Sequence, residues 1–117
     1  MKNSIGFIGL GVMGSSMAEH LINKMNNLNI ILRDSKKTKR FISKFKKSEK
    51  LKTFSNLKEL SENSNIIISC VGNDRDLKKI YFSKNGILEN VKKKTIIIDH
   101  TTASVEITKE LFSSFLK

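Results

Sequence analysis

Residues Gly6 to Gly14 read GFIGLGVMG, which places four of the chain's six glycines within nine residues. An apolar run, Ser4 to Ile8, leads into this stretch, and a run with helical spacing leads out of it from Val12. Glycine weakens a strand or helix by roughly 0.5–1 kcal/mol relative to alanine, so its concentration at such a junction needs another cause. Gly9-Leu10-Gly11-Val12-Met13-Gly14 supplies one. Its G-x-G-x-x-G spacing, after a strand and opening an amphipathic helix, is the dinucleotide-binding fingerprint in the setting it requires. Gly9 permits the tight turn, Gly11 leaves room for the backbone to approach a pyrophosphate, and Gly14 lets the helix lie close on the strand. The helix N-terminus adds free N–H groups and a partial positive charge. Gly9, Leu10, Gly11, Val12, Met13 and Gly14 are therefore candidate cofactor-binding residues.

Working outward, short apolar runs alternate with amphipathic stretches. Strands are expected at Ser4 to Ile8, Leu28 to Leu32, Leu51 to Phe54, Asn65 to Val71 and Lys94 to Asp99, the last two buried on both faces. Helices are expected at Val12 to Met25, Ser35 to Phe45, a brief one capped by Ser55, Asp74 to Phe82, and a last one capped by Ser104. Met13, Met17, Leu21 and Met25, with Ala18 and Ile22 beside them, form a stripe read as core. The alternation predicts a doubly wound, Rossmann-like parallel α/β sheet with helices on both faces. The 117 residues make one domain, and the chain stops in a helix with no strand after it, so a C-terminally truncated domain is expected.

Composition narrows the function classes. No apolar run approaches the roughly 20 residues that cross a bilayer, and no signal-peptide pattern is present. Cys70 is the only cysteine, which fits a reducing cytoplasm. The net charge of +11 invites a nucleic-acid reading, but the basic residues are spread over helices and turns without interleaved aromatics. Solvated lysine-rich faces are the better account.

The fingerprint also predicts a discriminating residue at the end of the second strand, roughly 20 residues on. The chain reads Ile31-Leu32-Arg33-Asp34-Ser35 there. A guanidinium at Arg33 favours the 2′-phosphate of NADP through a charge-assisted contact, with Ser35, Lys36 or Lys37 as further donors. Asp34 would instead serve the ribose of NAD if the strand ends one residue later. The balance favours NADP.

The opening, followed by Met17-Ala18 and Leu21, resembles that of the β-hydroxyacid dehydrogenases. This group includes 3-hydroxyisobutyrate dehydrogenase, tartronate semialdehyde reductase and the cofactor domain of 6-phosphogluconate dehydrogenase. Ile66 to Tyr81 with Asn85-Gly86-Ile87-Leu88, and TIIIDHTTAS from Thr95 to Ser104, resemble two further segments of the family in order and spacing. The resemblance implies that Val71 and Gly72 lie against the cofactor and that Asp76 contacts the dinucleotide. It also implies that Thr102 reaches the nicotinamide, with Thr101, Thr102 and Ser104 on the substrate side. Weighed alone, these hydroxyls serve as well for helix caps.

By the same resemblance, the activity is hydride transfer between a nicotinamide cofactor and a small 3-hydroxy acid, by a homo-oligomer. The family's later strands, catalytic lysine helix and helical domain have no counterpart here. No catalytic residue or metal ligand is therefore nominated in this chain, and the chain alone is expected to be inactive. Lys109, Lys117, His20 and His100 are read as surface or structural, and Cys70 as core. A stand-alone dinucleotide-binding or sensor module is the alternative. The last apolar face (Leu111, Phe112, Phe115, Leu116) predicts a tendency to associate.

Overall fold

Strand β1 (Ser4–Ile8) runs through the middle of a five-stranded sheet of order β3-β2-β1-β4-β5, in which every pairing is parallel. Its partners are β2 (Asn27–Ile31) and β4 (Ile66–Ser69), with β3 (Leu51–Phe54) and β5 (Ile96–Asp99) outside them. The computed structural model describes residues 4–10, 12–24, 27–32, 36–70, 74–99, 109 and 113, with Val12, Met13 and Asp74 as backbone only.

The pleat divides the core in two. Ile5, Phe7, Leu28 and Ile30 face one side, where Ala18 and Ile22 of α1 (Val12–Asn23) and Phe41 of α2 (Lys36–Lys44) cover them. Ile8 and Ile67 face the other, against Leu60 of α3 (Leu57–Glu62), Leu77, Ile80 and Tyr81 of α4 (Asp74–Phe82), and Ile87 of α5 (Ile87–Asn90). Parallel strands need crossovers, and helices on both faces bury both sets of side chains. The doubly wound expectation holds.

Several local expectations need correction. In α1, Ala18 and Ile22 are fully buried, and Met17 and Leu21 of the stripe pack against the same cluster while only partly covered; the Met13 side chain lies outside what the structure describes. α1 ends at Asn23, and Met25 lies outside the described residues. Leu32 falls just past β2 and is exposed.

The cap of α3 is Asn56 rather than Ser55, because Asn56 Oδ1 accepts the Glu59 N–H at 2.9 Å. Cys70 stands one residue past β4, half-buried rather than sealed in the core. The short helix α5 was not anticipated. It follows Asn85, whose φ of 61° turns the chain and whose N–H is held by Glu89 Oε2 at 2.9 Å.

The largest correction concerns β5. Expected to be buried on both faces, it begins only at Ile96, and Ile96 and Ile98 are 55% and 38% exposed. Among the described residues β5 is the last strand of the sheet and pairs with β4, which leaves Ile96 and Ile98 with more of their surface open than the isoleucines of β4.

Buried polar groups are mostly matched. Asn29 in the middle of β2 donates to Asn63 O at 3.1 Å and Ser64 Oγ at 3.0 Å, and Ser64 in turn donates to Leu60 O at 2.7 Å. The basic residues of α2 are largely solvated, as expected. Lys36, Lys37, Lys39, Arg40 and Lys44 are exposed, with Lys44 paired to Glu19 at 2.7 Å. Among the described residues, no helix is long and apolar enough to cross a membrane.

Candidate functional site

The β1–α1 junction is built from glycines for reasons visible in the backbone. Gly9 has φ 102°, a conformation open to glycine and strained for L side chains. A Cβ added at Gly14 would fall inside the Gly9 carbonyl group and within 3.4 Å of Phe7 Cε1. The third glycine thus brings α1 against the end of β1, which is the packing role expected of it. Leu10 O accepts the Ser15 hydroxyl at 3.1 Å, tying the turn to the first turn of the helix. No acidic side chain stands in that first turn, so the partial positive charge of the α1 N-terminus is uncompensated.

This junction lies where the strand order reverses. β1 is followed by β2 on one side and bordered by β4 on the other. Doubly wound sheets bind ligands outside the carboxyl ends of their strands at such a point. The Cys70 N–H donates to Ile8 O at 2.8 Å, so the chain leaving β4 starts level with the glycine turn.

Of the sequence-derived candidates, Gly9, Leu10 and Gly14 meet at this junction, with Val12 and Met13 placed as the opening of α1. Asp76 is exposed in the first turn of α4. Gly11, Arg33, Asp34, Val71, Gly72, Thr101, Thr102 and Ser104 lie outside the described residues, as do His100, Lys117 and the apolar residues of the last helix. Lys109 and His20 are exposed. Among the described residues, no group of three or more His, Cys, Asp or Glu could hold a metal ion.

One constellation was not read from the sequence. Ser69, Tyr81 and Asp99 form a hydrogen-bonded chain at the ends of β4 and β5. Ser69 Oγ donates to Asp99 Oδ1 at 2.8 Å and meets the Tyr81 hydroxyl at 2.8 Å. Burial, the largest cause, and the Asp99 carboxylate push the Tyr81 phenol up to about 12, against an opposing effect of the Ser69 hydrogen bond. The available signal was a tyrosine on the inner face of α4, beside Leu77 and Ile80, whose buried hydroxyl needs a partner.

Comparison with known proteins agrees with this architecture. Residues 4–116 match the family model described as the NAD binding domain of 6-phosphogluconate dehydrogenase. An uncharacterized oxidoreductase of Bacillus subtilis, YkwC, is 37% identical over 114 residues, covering 95% of this chain and 37% of that protein. The mitochondrial 3-hydroxyisobutyrate dehydrogenase of Mus musculus is 33% identical over 110 residues, covering 94% and 31%. The solved structure of Mycobacterium tuberculosis 3-hydroxyisobutyrate dehydrogenase with L-serine superposes with a TM-score of 0.80 at 19% identity, covering 97% of this chain and 36% of that one. The chain thus spans about a third of the length of the proteins it matches.

Proposed function

The chain belongs to the family of the NAD-binding domain of 6-phosphogluconate dehydrogenase, and from that membership we propose that it is the cofactor-holding domain of an oxidoreductase acting on a small 3-hydroxy acid. The observation that carries this reading is the β1–α1 junction, where Gly9 turns at positive φ and Gly14 leaves no room for a Cβ. Such a junction fits a pyrophosphate approached by backbone N–H groups at a helix N-terminus. The remainder of the enzyme, including its acid–base group and the homo-oligomer contacts, is assigned to residues beyond this domain, so the domain alone turns nothing over. The single Cys70 fits a reducing, cytoplasmic setting.

When bound, the nicotinamide dinucleotide supplies the hydride acceptor or donor. This chain's own residues hold and orient it. Gly9 to Gly14 take the pyrophosphate, with Leu10 fixed by the Ser15 hydroxyl. Arg33 selects NADP by pairing with the 2′-phosphate, and Asp34 stands beside it. By the family resemblance Val71, Gly72 and Asp76, the last exposed on α4, would hold the dinucleotide, Thr102 would serve the nicotinamide, and Thr101 and Ser104 would serve the substrate. The relatives' names support a 3-hydroxyisobutyrate-like substrate.

Titration of the protein with NADPH and NADH, followed by nicotinamide fluorescence, tests the reading. Saturable binding with NADPH preferred is expected, and Arg33→Ala should erase that preference. No binding at millimolar cofactor refutes the cofactor role, and an unchanged NADPH/NADH ratio refutes Arg33 as selector.

A further inference from the structure

The Ser69–Tyr81–Asp99 chain has a direction. A serine hydroxyl carries one proton, and Ser69 gives it to Asp99 Oδ1. In the 2.8 Å contact with Tyr81, the phenol must therefore be the donor. Ser69 and Tyr81 are fully buried, so neither hydroxyl can exchange its partner for bulk water without opening the core.

The location is specific. Ile8, Ser69 and Asp99 stand in one register row across β1, β4 and β5, the last row of all three strands. Tyr81 reaches that row from α4, the helix that follows the β4 end. The row lies directly beneath the strand ends where the ligand crevice opens.

Among the described residues β5 pairs with β4, and Ile96 and Ile98 on one of its faces are substantially exposed. At its last residue the Ser69 bond to the Asp99 carboxylate is charge-assisted, the stronger kind of hydrogen bond. Asp99 immediately precedes His100-Thr101-Thr102 in the sequence.

We propose that Ser69 and Tyr81 are positioning residues for the nicotinamide end of the bound dinucleotide: acting through Asp99, they fix the last residue of β5 at the crevice. The assignment rests on the cofactor role proposed above. It makes Tyr81 the orienting donor, Ser69 the link and Asp99 the anchor at the crevice. The glycine turn, which serves the pyrophosphate, begins one residue past Ile8 at the β1 end of this row, whereas Ser69, Tyr81 and Asp99 meet at its β4–β5 end.

The test compares two ligands on one protein. NADPH and NADH report the whole dinucleotide, whereas ADP-ribose and its 2′-phosphate report the adenine half alone. Ser69→Ala should weaken dinucleotide binding about tenfold, the loss expected from one charge-assisted bond and its positioning effect. Tyr81→Phe, which keeps the ring in the core, should weaken it by a few-fold. Binding of the adenine-half ligands should stay within about twofold in both variants. Ser69→Thr, which retains the hydroxyl, should restore dinucleotide affinity.

A variant that loses both ligand classes equally, or neither, overturns the positioning role, and so does failure of Ser69→Thr to restore binding. If Ser69→Ala does not fold, Tyr81→Phe carries the same comparison. A wild-type protein that binds neither class overturns the cofactor role itself. One that binds both, with an unmoved ratio in the variants, overturns only the positioning role.

Discussion

Alkaline titration of Tyr81 isolates a single group, because the chain contains one tyrosine and no tryptophan. Burial is the main reason its phenol is pushed up to about 12 from 10.0, and the Asp99 carboxylate adds to it. The Ser69 hydrogen bond works in the opposite sense, since that hydroxyl can turn to donate to a phenolate. The unfolded chain loses the Tyr81 proton near 10, while the folded chain keeps it to about 12. Between those values the folded state binds more protons, so stability falls as pH rises, and below pH 10 the contribution is constant. Two pH units at 1.36 kcal/mol each give a limiting loss of about 3 kcal/mol, reached once the folded state has also lost the proton. That is a large share of the 5–15 kcal/mol typical of a domain.

Two measurements read the same quantity. Growth of the tyrosinate ultraviolet band in the native protein gives the folded-state midpoint. Urea unfolding of wild type and Tyr81→Phe, at matched pH from about 9 to about 12, gives the stability slope with the lysine background common to both. The wild type should lose about 2 kcal/mol more than Tyr81→Phe over that range, the rest of the loss falling above pH 12. A tyrosinate midpoint near 10 with the fold intact, or an equal alkaline loss in both proteins, would refute the buried-donor assignment.

Two substitutions test the rest of the frame. Gly14→Ala puts a Cβ into the Gly9 carbonyl; a backbone oxygen cannot yield as a side chain can, so a loss of about 2 kcal/mol or more is expected in urea unfolding, with dinucleotide binding abolished. Wild-type stability and binding in that variant would show that the junction has slack. Asn29→Ala removes both donors to Asn63 O and Ser64 Oγ and should cost about 1–3 kcal/mol in unfolding while leaving cofactor affinity unchanged; a change in affinity without a change in stability would place Asn29 in the site instead.

The alternation of strands and helices was legible because each β-branched run is short and each helix repeats its apolar positions every three to four residues. NIIIS and TIIID look alike as text, yet one takes the second place from the sheet edge and the other the edge itself. Periodicity reports how apolar a strand is. Which neighbours it finds depends on the order of strands, a tertiary property, and so β5 was expected to be buried and is largely exposed.

Capping showed a similar limit. Ser55 and Asn56 are both good N-caps by residue type, and the choice fell on the one whose oxygen lies three residues before an available N–H. In the site, the glycines were readable because their spacing is fixed by local backbone geometry. The Tyr81–Ser69–Asp99 chain was not, because its members are separated by 12 and 30 residues and meet only through strand register and helix packing. The inward-facing Tyr81 signalled that its hydroxyl needs a partner, but the sequence does not mark Ser69 as that partner.

The central position of β1 has a consequence for how the chain is made. Its two ladders join Ser4–Phe7 to Asn27–Ile30 and Ile5–Ile8 to Ile66–Ser69, so its second partner is synthesised long after it. No hairpin can shelter it meanwhile, because every pairing is parallel and spans a crossover. Until residues 66–69 emerge from the ribosome, at about 5–20 residues per second, the strand carrying Ile5, Phe7 and Ile8 has one edge unpaired. Sheets built from such distant pairings fold slowly. The nascent chain therefore carries an open apolar strand edge at β1, and the cofactor turn that β1 leads into is fully supported only once β4 has joined the sheet.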